Sequence, residues 1–269
     1  MPALLAIDNV TRMFGGVVAA RDIAFELQRG EIVSLIGPNG AGKTTLFNII
    51  TGFVKPSSGR VHFDGADITN LKPQQVAQRG IVRTFQITNV FSGLTVGENL
   101  RAAQYLRLTG PFWRTMLGLS DARDRQEAAD RDAAELLRVV GLEHLRDETA
   151  RNLAYGQLRL LEIAIGLAAS PKILLLDEPA AGLNSEESAR LVELLRWLCR
   201  ERGITLLLVE HDMSVVMSVS DRIVVMNFGQ KIAEGVPEVV KQDRRVIEAY
   251  LGASLDEDDG AANGMNADA

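Results

Sequence analysis

An apolar run, a glycine-rich loop and a helix follow one another without interruption near the start of the chain. Glu31–Ile36 is almost continuously apolar, Gly37-Pro38-Asn39-Gly40-Ala41-Gly42 comes next, and Lys43-Thr44-Thr45 opens a segment with Leu46, Ile49 and Ile50 at helical spacing. A strand buried on both faces carries an unbroken apolar run of this kind. Gly52 and Pro56 supply the helix stop. In this setting the pattern G-x-x-x-x-G-K-[ST] has a physical meaning, because the glycines allow a tight turn whose backbone N–H groups converge on an anion. The helix N-terminus adds its dipole, Lys43 can reach the outer phosphates, and the Thr44 hydroxyl can ligate magnesium. Gly37–Thr45 is therefore expected to bind the phosphates of a nucleotide, with ATP and Mg2+ as the implied ligands.

The remaining pattern extends this start into an α/β architecture. Leu4–Val10 and Ala24–Leu27 read as short strands, and Ser58–Ile68 reads as a hairpin about Phe63-Asp64-Gly65. From about Val96 to Val140 the character is helical, with a break at Gly110-Pro111 and a charged stretch over Asp121–Arg138. Strand-like runs return at Lys172–Leu176, Ile204–Val209 and Arg222–Met226, separated by helical patterns over Glu186–Arg202 and Ser214–Val219. Such alternation predicts a mostly parallel, helix-covered sheet. The last residues, Asp256–Ala269, are acidic and lack aromatics, and are expected to be disordered.

Two further candidates lie at the C-terminal ends of predicted strands, where open α/β sheets bind ligands. Ile173–Leu176 runs into Asp177-Glu178-Pro179, and Ile204–Val209 runs into Glu210-His211. Asp177 can hold magnesium through its water shell, and Glu178 can act as general base toward an attacking water. His211 is within reason a hydrogen-bonding partner of the outermost phosphate or of that water, and Gln86, after Ile81–Phe85, a candidate for magnesium or water.

Composition removes other classes. The 269 residues are 46% hydrophobic and 24% charged, enough to bury a core and far from collagen or disorder. A net charge of -6 argues against a chain devoted to nucleic acid. The single cysteine, Cys199, and three scattered histidines, His62, His144 and His211, form neither an internal disulfide nor a ligand cluster. No apolar run approaches the about 20 residues needed to span a bilayer, and the first residues lack a signal-peptide pattern. A reducing, cytoplasmic setting is expected.

Leu153-Ala154-Tyr155-Gly156-Gln157 is similar to the signature LSGGQ and stands shortly before Leu174-Leu175-Leu176-Asp177-Glu178-Pro179. With the phosphate loop, these motifs occur in the order found in ABC-type ATPases, which the chain resembles from about Leu4 to Gly252. The resemblance implies a cassette with a mostly parallel core sheet, an N-terminal antiparallel portion and a helical signature subdomain, about 96–160, within one domain spanning 1–255. It also implies that Gln86 belongs to the Q-loop, Gly182-Leu183-Asn184 to the D-loop, and His211 to the switch position, with Phe14 stacking on adenine. Arg83-Thr84-Phe85-Gln86, Leu94–Leu100, Ala180–Asn184 and Val246–Gly252 narrow the resemblance to ATP-binding subunits of branched-chain amino-acid importers.

What that branch implies is an assembly. A second ABC ATPase, identical or related, would cover the γ-phosphate with its own signature loop, two membrane permeases would be driven by closure and reopening, and an extracytoplasmic solute-binding protein would deliver the solute. The chain would then be peripheral at the cytoplasmic face of the membrane, with Ile87–Ser92 facing the permeases; its apolar members Val90 and Phe91 suit either a partner groove or the chain's own core. Ala154 stands where the general signature has serine and cannot donate that hydroxyl bond, which implies two unequal composite sites; Asn184 stands where aspartate is common. An importer of another amino acid or an amide, and a soluble ATPase of the same superfamily, are the alternative functions. Against the latter stand the missing heptad insertion, second cassette and basic surplus. A non-hydrolysing scaffold is disfavoured by Glu178 and His211.

Overall fold

The computed structural model describes residues 2–84, 90–108 and 122–250, with only the backbone of 105–108 and 122–129. They form two compact units, one of Met1–Arg79 with Thr205–Ala269 and one of Gly80–Ile204. Gln86, the Gly110-Pro111 break and the acidic tail lie outside the described residues. No described helix is long and apolar enough to cross a membrane.

The first unit holds two sheets. β1 (Leu5–Phe14), β2 (Val17–Leu27), β4 (Ser58–Phe63) and β5 (Ala66–Asp67) make an antiparallel sheet in the order β2-β1-β4-β5. The strand β3 (Ile32–Ile36) lies between β8 (Thr205–Val209) and β9 (Arg222–Asn227), parallel to both, and β10 (Gln230–Gly235) pairs antiparallel with β9. β3 and β8 are buried at every position, as their unbroken apolar runs require. Helices α1 (Lys43–Ile50), α2 (Pro73–Gln78), α7 (Met213–Val219) and α8 (Pro237–Val240) belong to this unit, followed by a helix over residues 244–250. Ile36, Val216, Ile223, Val225, Val240 and Val246 form one continuous apolar cluster.

In the second unit β6 (Ile81–Arg83) runs parallel to β7 (Ile173–Asp177). Helices α3 (Val96–Leu108), α4 (Ala122–Val139) and α5 (Tyr155–Ala168) pack on one another, and α6 (Ser185–Arg202) follows β7. A Cβ on Gly166 would lie 3.0 Å from Leu174 Cδ1 and 3.4 Å from Thr84 Cγ2. Glycine at that turn lets α5 lie close against the β6–β7 pair.

The α/β class, the antiparallel N-terminal portion and the parallel strands agree with the sequence reading. Several elements are longer or additional. β1 and β2 extend to a hairpin about Gly15-Gly16, pairing Phe14 with Val17, although Thr11–Phe14 and Val17–Ala19 are partly or fully exposed and carry little apolar alternation. β10 was hidden because its turn is Phe228-Gly229 with φ of 44° and 74°, a two-residue turn of the primed type that usually announces itself by Asn-Gly or Asp-Gly. Asp64-Gly65, with φ of 52° and 76°, is the conventional case and was legible.

Beneath the phosphate loop the backbone is crowded. A Cβ on Gly42 would fall 2.2 Å from Ala19 O. Gly42→Ala is accordingly expected to cost about 3 kcal/mol, whereas Gly40→Ala, where a Cβ meets nothing within 4 Å, should cost only about 1 kcal/mol for its left-handed backbone. Urea denaturation of the two variants checks the difference.

Candidate active site

β3 delivers the chain to Gly37, which is buried with φ of 150° and whose Cβ would fall 2.0 Å from Met226 O. Ala41 N–H donates to Pro38 O at 3.1 Å, and Gly229 N–H donates to Ala41 O at 3.1 Å, so the loop is tied both to itself and to the β9–β10 turn. Lys43 Nζ donates to Gly37 O at 2.6 Å and Pro38 O at 3.0 Å. The lysine is thus folded over the loop it belongs to, its ammonium held at the loop's own carbonyls. Asn39, Gly40 and Thr44 are exposed, Pro38, Gly42, Lys43 and Thr45 half-buried. The first turn of α1 carries no acidic residue, so no carboxylate of that turn offsets the positive end of the helix dipole.

The same unit carries Phe14 and His211. Phe14, at the end of β1, is exposed, with the Arg12 guanidinium 4.4 Å from its ring centroid. His211 is exposed beyond β8, while Glu210 beside it is buried and accepts the N–H groups of His211 and Asp212 at 2.9 and 3.2 Å. The buried carboxylate fixes the turn that presents the imidazole. Asp212 then caps α7, accepting from Ser214 N and Val215 N. The Ser214 hydroxyl, ahead of the opposing effect of burial, holds its carboxyl below the ordinary range.

The second unit carries the carboxylates, the signature and the D-loop. Asp177 ends β7, and Arg83 Nη2 donates to its Oδ2 at 2.6 Å. Glu178 has φ of 48°, an uncommon conformation for a residue with a side chain, in a turn where Ala181 N–H donates to Glu178 O at 3.1 Å. Backbone strain of this kind clusters at sites of chemistry. The signature and D-loop pack together: a Cβ on Gly182 would sit 2.8 Å from Tyr155 Cε1, and one on Gly156 would sit 2.7 Å from Glu187 Oε1 and 3.4 Å from Leu183 Cδ2. Leu153 and Gly156 are buried; Ala154 and Tyr155 are exposed and Gln157 half-buried.

Residues 20–181 match the family model described as ABC transporter. The chain belongs to the ABC transporter family. Residues 230–256 match a second model, branched-chain amino acid ATP-binding cassette transporter. This cassette is 48% identical to the high-affinity branched-chain amino acid transport ATP-binding protein LivG of Salmonella typhimurium, over 93% of the chain and 98% of that protein. It is 43% identical to the corresponding protein BraF of Pseudomonas aeruginosa, over 93% and 98%. Among solved structures, the ADP conformation of MJ1267, an ATP-binding cassette of an ABC transporter, is similar at a TM-score of 0.82 and 34% identity, over 94% of this chain and 100% of that one. A dimeric structure of the cassette MJ0796, bound to ADP and Pi, is similar at a TM-score of 0.73 and 28% identity, over 87% and 98%.

Three residues of this cassette escaped the sequence reading. Arg159 is buried and pairs with Glu162 at 2.9 Å and with the Tyr155 hydroxyl at 2.9 Å; burial opposes its charge, and these two partners outweigh it, holding the guanidinium above its ordinary value. Asn99 is buried and clasps Phe91, accepting its N–H at 2.8 Å and donating to its carbonyl at 3.1 Å. Arg83 and Asn99 each stand inside a longer motif, Arg83–Gln86 and Leu94–Leu100, and nothing in the sequence marks either one singly. For Arg159 and Glu162 an i, i+3 pair of opposite charge was the one available signal, and it is the same on a solvated face.

Two helix starts differ instructively. Asn184 Oδ1 accepts from the N–H groups of Glu186 and Glu187, and Glu187 Oε2 accepts from Asn184 N–H, all at 3.0 Å, a complete capping box. At α5, Gln157 Oε1 accepts from Ala154 N–H at 2.9 Å, but alanine has no oxygen to return. Asn184→Ala should cost about 1 kcal/mol and Ala154→Ser should gain about 0.5–1 kcal/mol, measured by thermal or urea unfolding. For Asp212, whose folded value is depressed, the stabilisation is present above the ordinary carboxylate range and lost as pH falls through the depressed value. The destabilisation by Asp212→Ala is therefore expected at neutral pH and should disappear in acid, checked by unfolding across pH.

Proposed function

We propose that this cassette is the ATP-hydrolysing subunit of an importer for branched-chain, hydrophobic amino acids. The observation that carries the reading is the near full-length likeness to LivG and BraF, joined to a phosphate loop, an Asp-Glu strand end and a signature helix in one chain. Gly37–Thr45 cradles the phosphates through backbone N–H groups and the Lys43 ammonium, which exchanges its loop carbonyls for phosphate oxygens. Phe14 stacks on adenine. Glu178 accepts a proton from the attacking water, His211 and Gln86 hold the water and the outer phosphate, and Gly182-Leu183-Asn184 lines the partner-facing edge. Leu153-Ala154-Tyr155-Gly156-Gln157 serves the nucleotide on the partner ATPase.

The donors assigned to magnesium suit it. Thr44, Asp177 and Gln86 offer hard oxygens, and no cluster of three His, Cys, Asp or Glu stands among the described residues, which fits an ion that keeps its waters and shares phosphate oxygens. When bound, the ion neutralises charge on the transferring phosphoryl group. The protein's own contribution is then positioning, water exclusion and proton transfer.

The proposed assembly is a pair of ATPases with two membrane permeases and an extracytoplasmic binding protein, the chain lying peripherally on the cytoplasmic face. The dimeric structure of a related cassette supports the pairing. Phe91, exposed and held from behind by Asn99, suits a permease groove. In domain terms we take residues 1–255 as one cassette with a helical subdomain at about 96–160, and 256–269 as an acidic tail.

The test is reconstitution with candidate permeases, a partner ATPase and a binding protein in lipid. Hydrolysis should rise on assembly and accompany uptake of labelled leucine, isoleucine or valine, and Glu178→Gln should cut it at least about 10²-fold while ATP still binds. Hydrolysis indifferent to the permeases would move the function to a soluble ATPase, and uptake confined to another amino acid or an amide would replace the substrate class.

A further inference from the structure

Arg83 is the last residue of β6 and stands in parallel register with Leu175 of β7. Asp177 is two residues beyond Leu175, so strand alternation puts Leu175, Asp177 and Arg83 on one face of the strand pair. From there Arg83 Nη2 reaches forward to Asp177 Oδ2 at 2.6 Å, and the two side chains retain only 7% and 15% of their exposure. The register is held to the end of the described segment, where Thr84 N–H donates to Leu175 O at 2.9 Å. Opposite charges this far from water attract strongly, and removing one of them costs more than at an exposed position.

We infer that Arg83 is a positioning residue for Asp177, fixing the carboxylate so that Oδ1 is the oxygen presented to magnesium while Oδ2 is held by the guanidinium. This rests on the proposed role of Asp177 as a magnesium ligand. The terminal torsion of an aspartate is broad, and a short charge-assisted bond to one oxygen narrows it. Outer partners of ligating groups tune metal affinity by about 10–100-fold, and Arg83 has the geometry of such a partner. It also stands three residues before Gln86, so the carboxylate is tied to the strand that leads into the segment proposed to face the permeases.

The experiment is calorimetric titration of the purified full chain with ADP, in Mg2+ and in EDTA, which reads the magnesium-dependent gain in affinity without turnover. Asp177→Asn should abolish the gain. Arg83→Met should lower it about tenfold or more with affinity in EDTA unchanged, Arg83→Lys should lie between Met and the parent, and Arg83→Met with Asp177→Asn should match Asp177→Asn alone. A parental gain in Arg83→Met, with the gain lost in Asp177→Asn, would overturn the inference and leave the magnesium reading standing. A parental gain in Asp177→Asn would overturn the magnesium reading itself. Should Arg83→Met fail to fold, Arg83→Lys decides, and a parental gain there also overturns the inference.

Discussion

The phosphate loop exists because two backbone strands pass where side chains would have to be. At Gly37 and Gly42 a Cβ would fall 2.0 Å from Met226 O and 2.2 Å from Ala19 O. β9 and β2 therefore press against the loop from positions that only glycine tolerates. The loop's curvature is then fixed from outside as well as by its own turn, and Gly229 N–H bonding to Ala41 O adds a third restraint. A loop held this way keeps its backbone shape fixed, which in the proposed phosphate-binding role would lower the reorganisation needed to bind an anion. The folded-back Lys43 fits the same logic: its ammonium is held by the carbonyls of Gly37 and Pro38, the partners that phosphate oxygens would replace in the proposed role.

The second unit applies close approach to a different end. Gly166 brings α5 down on the β6–β7 pair, Gly156 admits Glu187, and Gly182 admits the Tyr155 ring. The signature and the D-loop are thereby one packed body. Arg159, paired with Tyr155 and Glu162, gives it a buried polar element as well. Motion of the signature helix N-terminus would have to carry Asn184 and the start of α6 with it. That is a physical reason to treat these two motifs as a unit in the proposed pairing of ATPases.

What could be read from the sequence was what is local. The phosphate loop, the Asp-Glu strand end, the Asp64-Gly65 hairpin and the buried runs of β3, β7 and β8 each carry their own signal within a few residues. The residues that escaped are defined by burial and partners that the sequence does not show, at short range for Arg159 and Asn99 and at long range for Arg83. Arg83 and Asp177 are far apart in the chain, and nothing near Arg83 says that a carboxylate lies two register positions ahead on the neighbouring strand. The outer half of the β1–β2 hairpin is held by cross-strand pairing rather than by an apolar stripe, and Phe228-Gly229 turns without the usual residues. Asn99 looks like an ordinary helix-surface amide until the loop it clasps is seen around it.

Glu178 shows how the fold supports a residue against its own preference. Its φ of 48° is unfavourable by about 1 kcal/mol for a side-chain-bearing residue, and Pro179 after it further narrows the backbone choices. Yet the chain must leave a buried strand at Asp177 and turn at once, so that Ala181 can bond back to Glu178 O and α6 can start at Asn184. An extended Glu178 would carry its carboxylate onward along β7, and a helical one is disfavoured by the proline. The left-handed conformation ends the strand at Asp177 and turns the backbone there. Asp177, engaged by Arg83, and the half-buried Glu178 thus occupy different backbone settings although they are neighbours in the chain.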